Sequence, residues 1–214
     1  MNLLFCTALV EDARSWQRRY RSWIDHHVPL LKPELIFIID DAGTYVPGDA
    51  DVEVVASAPE LPLEGRIYLF RFAERLGRRS MFDFPGWWRS FDTAVDLAIK
   101  YRADRLLHVE SDARIISQRM ADKMRRVPRG WAAMWCPSYR APEPSIQIIH
   151  RDSLANAADF RARRAALDLE GRGPELALPF THVERRLIGD RYREFNQPVP
   201  PNADYACQIF GGGK

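Results

Sequence analysis

The chain has 214 residues, with 31 basic side chains against 29 acidic ones and a net charge of +2. That balance excludes the strongly basic surface of a nucleic-acid-binding domain. A hydrophobic share of 46% with 11% aromatics excludes disorder, and the length suits one domain with a full core rather than two.

In chain order, "NLLFCTAL" (2–9) reads as a buried strand. From 15 to 28, Trp16, Tyr20, Trp23, Ile24 and His27 recur at helical spacing while Arg14, Arg18 and Arg21 line another face, which predicts an amphipathic helix ended near Pro29. "ELIFIID" (34–40) is a continuous apolar run, the pattern of a parallel strand covered on both faces. "VEVVAS" (52–57) and "RIYLFRF" (66–72) are further strand candidates. In "DFPGWWRSFDTAVDLAIKYR" (83–102), Pro85 suits a first helical turn, and Trp88, Phe91, Val95, Ala98 and Tyr101 form one stripe.

A strand at 105–110 follows, then a helix at 118–126, strands at 131–136 and 145–150, a helix from 152 to about 163, and a helical piece near 175–188. Strands alternating with helices predict a single α/β domain whose central sheet is mainly parallel, with helices on both faces. Ligands of such sheets bind in the crevice beyond the carboxyl ends of the strands. No run of about 18 apolar residues occurs and the amino terminus lacks the pattern of a signal peptide, so the expectation is a cytoplasmic protein, at most peripheral at the inner face of a membrane. Cys6, Cys136 and Cys207 are far apart and flanked by apolar residues; they read as reduced core residues with no zinc spacing.

Three predicted strands deliver acids to one sheet edge. The first runs into Glu11 and Asp12, the second into Asp40 and Asp41, and "RLLHVESDARII" (105–116) into Glu110 and Asp112. Each has an ordinary explanation as a turn former or helix cap. Together they suit a divalent cation, Mg²⁺ or Mn²⁺, that is completed by water and substrate phosphates. In a locally extended chain, Glu110 and Asp112 leave on the same side and can share that ion. Arg78, Arg79 and Arg89 surround the loop before the long helix, where cations could balance a diphosphate. One of the adjacent Trp87 and Trp88 must turn away from the helix core and could stack on a sugar or base.

The order "FCTALVEDARSW", "ELIFIIDDAGTY", "ADRLLHVESDARII" resembles the GT-A class of nucleotide-sugar glycosyltransferases, with Glu110-Ser111-Asp112 in the place of the D-x-D motif. The resemblance implies a GT-A-like, Rossmann-related fold in which residues 1–116 bind the nucleotide sugar and 117–214 form the acceptor side. It implies donor contacts at Thr7, Glu11, Asp40, Asp41, Arg89 and Glu110, and a Mn²⁺ or Mg²⁺ ion on Asp112. The acceptor would be a carbohydrate or glycolipid. A base for its hydroxyl is expected in "FTHVERRLIGDR", where Glu184 and Asp190 are the candidates and His182 could complete the metal shell. The same stretch also reads as a solvated helix with paired charges. Two other readings are a metal-dependent phosphohydrolase of haloacid-dehalogenase-like type, with its Asp in "FIIDDAG", and a non-catalytic nucleotide-sugar or carbohydrate-binding domain.

Overall fold

A computed structural model describes residues 1–60, 67–80, 82–164 and 173–210. The helix stripes and apolar strands place side chains on two sides of one sheet. β1 (Asn2–Ala8) alternates between them, with Leu4 and Cys6 packing on one face and Leu3 and Phe5 on the other. The first face is covered by α1 (Ala13–Ser15), a π-helical segment Trp16–Arg21 and α2 (Ser22–Leu31), which contribute Trp16, Tyr20, Trp23 and Ile24. Against the second face lie helices at 85–100 and 151–164, through Trp88, Phe91, Val95, Leu154 and Phe160.

The sheet combines β1 with β2 (Leu35–Asp40), β3 (Val52–Val55), β4 (Ile67–Arg71), β5 (Arg105–Val109), β7 (Trp131–Cys136), β8 (Ala141–His150) and β9 (His182–Glu184), in the order β3-β4-β2-β1-β5-β8-β7-β9. Among the described strands of this sheet only β8 runs against the rest. The mainly parallel sheet with helices on both faces is therefore present. A smaller sheet, β10 (Gly189–Asp190), β11 (Tyr205–Ala206) and β6 (Arg114–Ile115), ties the C-terminal segment to the chain just after β5. The remaining helices are α3 (Pro85–Lys100), α4 (Gln118–Arg126), α5 (Arg151–Arg164) and α6 (Pro174–Ala177).

Several local expectations are corrected. Pro29 lies inside α2, which ends instead at Lys32, in a left-handed conformation and just before Pro33. An interior proline costs about 3 kcal/mol, but each large apolar side chain buried by this helix contributes roughly 1.5–3 kcal/mol, so packing prevails. β8 is longer than the predicted 145–150 because a tight turn at 137–140 carries it back along β7 through Pro142 and Pro144, with a register shift at Ala133/Met134. The helical piece expected near 175–188 is helical only at α6; His182–Glu184 instead adds an edge strand to β7. The three cysteines are free and buried, as expected.

Candidate functional site

Because β1, β2 and β5 are parallel, their carboxyl ends open on one edge, and Asp40, Asp41, Glu110 and Asp112 all stand there. The register that sets Phe5 opposite His108 carries Thr7 to Glu110, whose Oε2 accepts a 2.7 Å bond from the Thr7 hydroxyl. His108 Nε2 lies 3.0 Å from Glu110 Oε1, which also accepts the Trp87 indole N–H from the first turn of α3. Burial raises the Glu110 pKa, but His108, Thr7 and Trp87 outweigh it and hold the carboxyl below its ordinary value. The His108 ring is stacked on Phe5 at 4.5 Å and bonded to Gln147, so the support behind Glu110 is rigid.

Asp112 departs from the extended geometry expected of it. The Ala113 amide donates to the Glu110 carbonyl at 2.9 Å, closing a turn. While Glu110 faces α3, Ser111 and Asp112 meet Arg19 of the π-helical segment on the other side. Arg19 Nε donates to Ser111 Oγ at 2.7 Å, and its Nη2 stands 3.6 Å from Asp112 Oδ2. Burial raises the Asp112 pKa to about 6, Arg19 opposes this, and Glu110 and Glu143 reinforce it. The C-terminal segment closes over the turn, with the Ile209 amide donating to the Asp112 carbonyl at 2.9 Å.

The acids at the end of β2 hold loops together. Asp40 is fully buried; Oδ1 accepts from the Val10 amide at 2.9 Å, and Oδ2 from the Gly43 amide at 3.0 Å and Arg71 Nε at 3.1 Å. Burial nevertheless raises its pKa. Asp41 accepts from the Gly77 amide at 2.6 Å and from Arg89 Nη2. A side chain at Gly86 would fall on the Asp41 carboxylate, so glycine is required for this approach. Glu11 is exposed and 3.5 Å from Arg75.

The expected C-terminal candidates are engaged elsewhere. Glu184 is buried on β9, paired with Lys123 and Arg186, and accepts from the Arg186 amide at 2.8 Å. Burial raises its pKa, but these partners bring it down to about 2. A carboxylate so firmly held in its charged form is a weak proton acceptor. Asp190 accepts from the Ser138 hydroxyl at 2.7 Å and its amide at 3.2 Å, and from Cys136 Sγ at 3.2 Å, fastening the β7–β8 turn to the small sheet. The His182 side chain, 53% exposed, is level with Leu107 and three strands away from β5, a lateral separation of about 14 Å. The structure thus separates His182 from Asp112, the two residues expected to share a metal.

The donor set limits what a metal ion could use. Both Glu110 oxygens already accept hydrogen bonds, and among the described residues no group of three or more His, Cys, Asp and Glu side chains could hold a metal ion. An ion that takes one protein carboxylate and completes its shell with ligand phosphates and water fits Asp112 alone.

Arg19 and the Glu143–Arg191 pair were not singled out from sequence. Arg19 lies three residues after Trp16, beside the apolar stripe, but the π-helical turn alters the 3.6-residue count that would have placed it. Glu143, fully buried on β8, receives Arg191 at 2.7 and 3.0 Å; flanking prolines disguised its strand.

No protein-family model and no curated protein matches the chain. Among solved structures it is similar to the crystal structure of a glycosyltransferase involved in the glycosylation of the major capsid of PBCV-1, with a TM-score of 0.52 at 9% identity, covering 96% of this chain and 92% of that one. At that identity the likeness is one of fold, extending over nearly the whole chain.

Proposed function

We propose that this protein is a glycosyltransferase that takes its sugar from a nucleotide-sugar donor bound at the carboxyl edge of β1, β2 and β5. The observation that carries the reading is the opposition of Arg19 and Asp112 at the end of β5, in a fold shared with a glycosyltransferase. The nucleotide would lie over residues 1–116, beside Thr7, Glu11 and the Asp40–Asp41 loop. Residues 117–214 would face the acceptor, a carbohydrate or glycolipid. In transfer, the bond from the sugar's anomeric carbon to the diphosphate breaks, the acceptor oxygen bonds to that carbon, and the hydroxyl proton leaves to a base.

Arg19 supports this role because its side chain is 39% exposed and its guanidinium can offer N–H donors to a diphosphate while Nε keeps Ser111. Glu110, fixed by Thr7, Trp87 and His108, offers an anchored carboxylate to a sugar or ribose hydroxyl. A Mn²⁺ or Mg²⁺ ion bound with the donor would rest on Asp112 and offset the charge that develops on the leaving diphosphate.

The phosphohydrolase reading would need Asp40 as a nucleophile, yet this side chain is fully buried and its oxygens accept from Val10, Gly43 and Arg71. A non-catalytic nucleotide-sugar-binding domain is favoured by one observation: Glu184 and Asp190, the two candidate bases, are both occupied structurally. Calorimetric titration with a panel of nucleotide sugars, with and without Mn²⁺, followed by assay of sugar release or transfer, tests the proposal. Saturable binding with turnover supports transfer, and binding without turnover supports the binding domain. Absence of binding to every donor overturns both.

A further inference from the structure

A cavity of about 950 Å³ opens between the first half of α3 and the last turns of α5, beside the loop that follows β4. Two of its lining residues entered the sequence expectations for ligand contact, Arg89 as a donor contact and Trp88 as one of the tryptophan pair, but no expectation placed a separate site here. α3 connects it to the candidate site: Trp87 turns to Glu110, whereas its neighbours Trp88 and Arg89 line the cavity. The walls combine two chemistries. Leu76 and Phe82, 40% and 45% exposed, join Pro85 and Trp88 as apolar surface. Arg89, Arg161 and Arg164 supply guanidinium groups, against Asp83 and Asp92.

Charge and hydrogen bonding narrow the ligand. Asp92 is neutralised by Arg164 through bonds of 2.7 and 3.2 Å, and Asp83 lies 3.9 Å from Arg79. Arg161 uses Nη1 on Asp96, and Arg89 uses Nη2 on Asp41 and the Glu74 carbonyl. The Nε of Arg89 is the sole buried side-chain nitrogen or oxygen without a partner among the described residues. Solvent does not reach that nitrogen, so the guanidinium a ligand can reach is that of Arg161, whose side chain is 41% exposed. The two hydroxyls of the lining are engaged by the chain: Thr93 donates its proton to the Arg89 carbonyl at 2.8 Å, and the Ser80 oxygen accepts from the Phe82 and Asp83 amides. Guanidinium donors beside apolar and aromatic walls fit an anionic head on an apolar body.

We propose that this cavity binds an amphipathic phosphate, a phosphomonoester carrying an apolar chain. On the sugar-transfer reading, on which only this assignment rests, that molecule is the acceptor. The test is titration of the full chain, followed by calorimetry and tryptophan fluorescence, with farnesyl monophosphate below its micelle concentration, farnesol, glucose 1-phosphate and inorganic phosphate. Farnesyl phosphate is expected to bind saturably and at least tenfold more tightly than any of the other three. Arg161→Gln, at a side chain 41% exposed, and Phe82→Ser should each weaken it at least fivefold without changing the melting temperature.

Equal affinity for inorganic phosphate or glucose 1-phosphate overturns the apolar part of the proposal, and equal affinity for farnesol overturns the anionic part. Absence of saturable binding, or affinity unchanged in both variants, overturns it altogether. Titration of the same preparation with nucleotide sugars separates the two readings. Donor binding without farnesyl phosphate binding removes only the cavity assignment, and the reverse result removes only the transferase reading.

Discussion

Arg19 Nη2 stands 3.6 Å from Asp112 Oδ2, and the same guanidinium bonds Ser111 through Nε at 2.7 Å. The triplet Glu110-Ser111-Asp112 is therefore engaged by the protein itself, with His108 Nε2 3.0 Å from Glu110 on one side of the sheet and the Arg19 cation facing Asp112 on the other. Of the two carboxylates of the triplet, only Asp112 remains shifted toward the protonated state, because a single partly exposed cation does not offset its burial.

That imbalance has a sign. With a folded pKa of about 6 above an unfolded value near 3.9, Asp112 binds its proton more tightly in the folded state. Its contribution is most favourable below pH 4, is lost as the pH rises to 6, and is constant above. The displacement corresponds to at most about 3 kcal/mol. Asp112→Asn should therefore stabilise the protein at pH 8, by roughly 1–2 kcal/mol after loss of the Arg19 pair and with a higher melting temperature, and change little at pH 4. Thermal unfolding of both proteins across pH 4–8 checks this. Donor affinity in Mn²⁺ should fall in the same variant.

Arg19→Gln removes the cation while leaving a side chain able to bond Ser111. Nucleotide-sugar affinity should fall about tenfold, the loss of one charge-assisted contact. The Asp112 pKa should rise further, since Arg19 is what lowers it. Titration of the Asp112 carboxyl by NMR reads that second change directly, and an unaltered pKa would mean that the pair is absent in solution.

Glu184 tests structure against catalysis. Its pKa of about 2 lies below the unfolded value, so its stabilisation is present above about pH 4.5 and is lost as the pH falls toward 2. Glu184→Gln leaves Lys123 and Arg186 without their anion and should cost about 1–3 kcal/mol at pH 7. Transfer rate per folded molecule should be unchanged, as measured by comparing denaturant unfolding with activity. A large loss of rate at full folding would restore Glu184 as the base.

Asp40→Asn keeps the shape of the buried carboxylate but puts an amide N–H₂ where an oxygen accepts from Val10, or from Gly43 and Arg71. The expected cost is about 2–4 kcal/mol, the range for breaking a buried charged network. Chemical denaturation measures it. A near-neutral result would show these bonds to be weak and reopen Asp40 as a ligand-binding group.

The continuous apolar runs of β1, β2 and β5 and the stripes of α3 and of the helical segment from Trp16 to His27 were legible in the sequence because burial imposes a period that the residue order displays directly. So was the delivery of acids to one edge, since parallel strands share an end. What each acid does there was decided by groups distant in sequence. Asp40 meets Val10 and Arg71, Asp41 meets Gly77 and Arg89, and Glu184 meets Lys123. The turn after Glu110 sent Asp112 to the opposite side of the sheet, a change that one backbone hydrogen bond makes and no side-chain period encodes. Strands of two or three residues, β6, β9, β10 and β11, are too short to show any period; they exist because a partner strand is already in place. Local spacing thus determined the elements and the edge on which they open, whereas hydrogen-bond and charge partners brought together by packing decided which carboxylate remained unsatisfied.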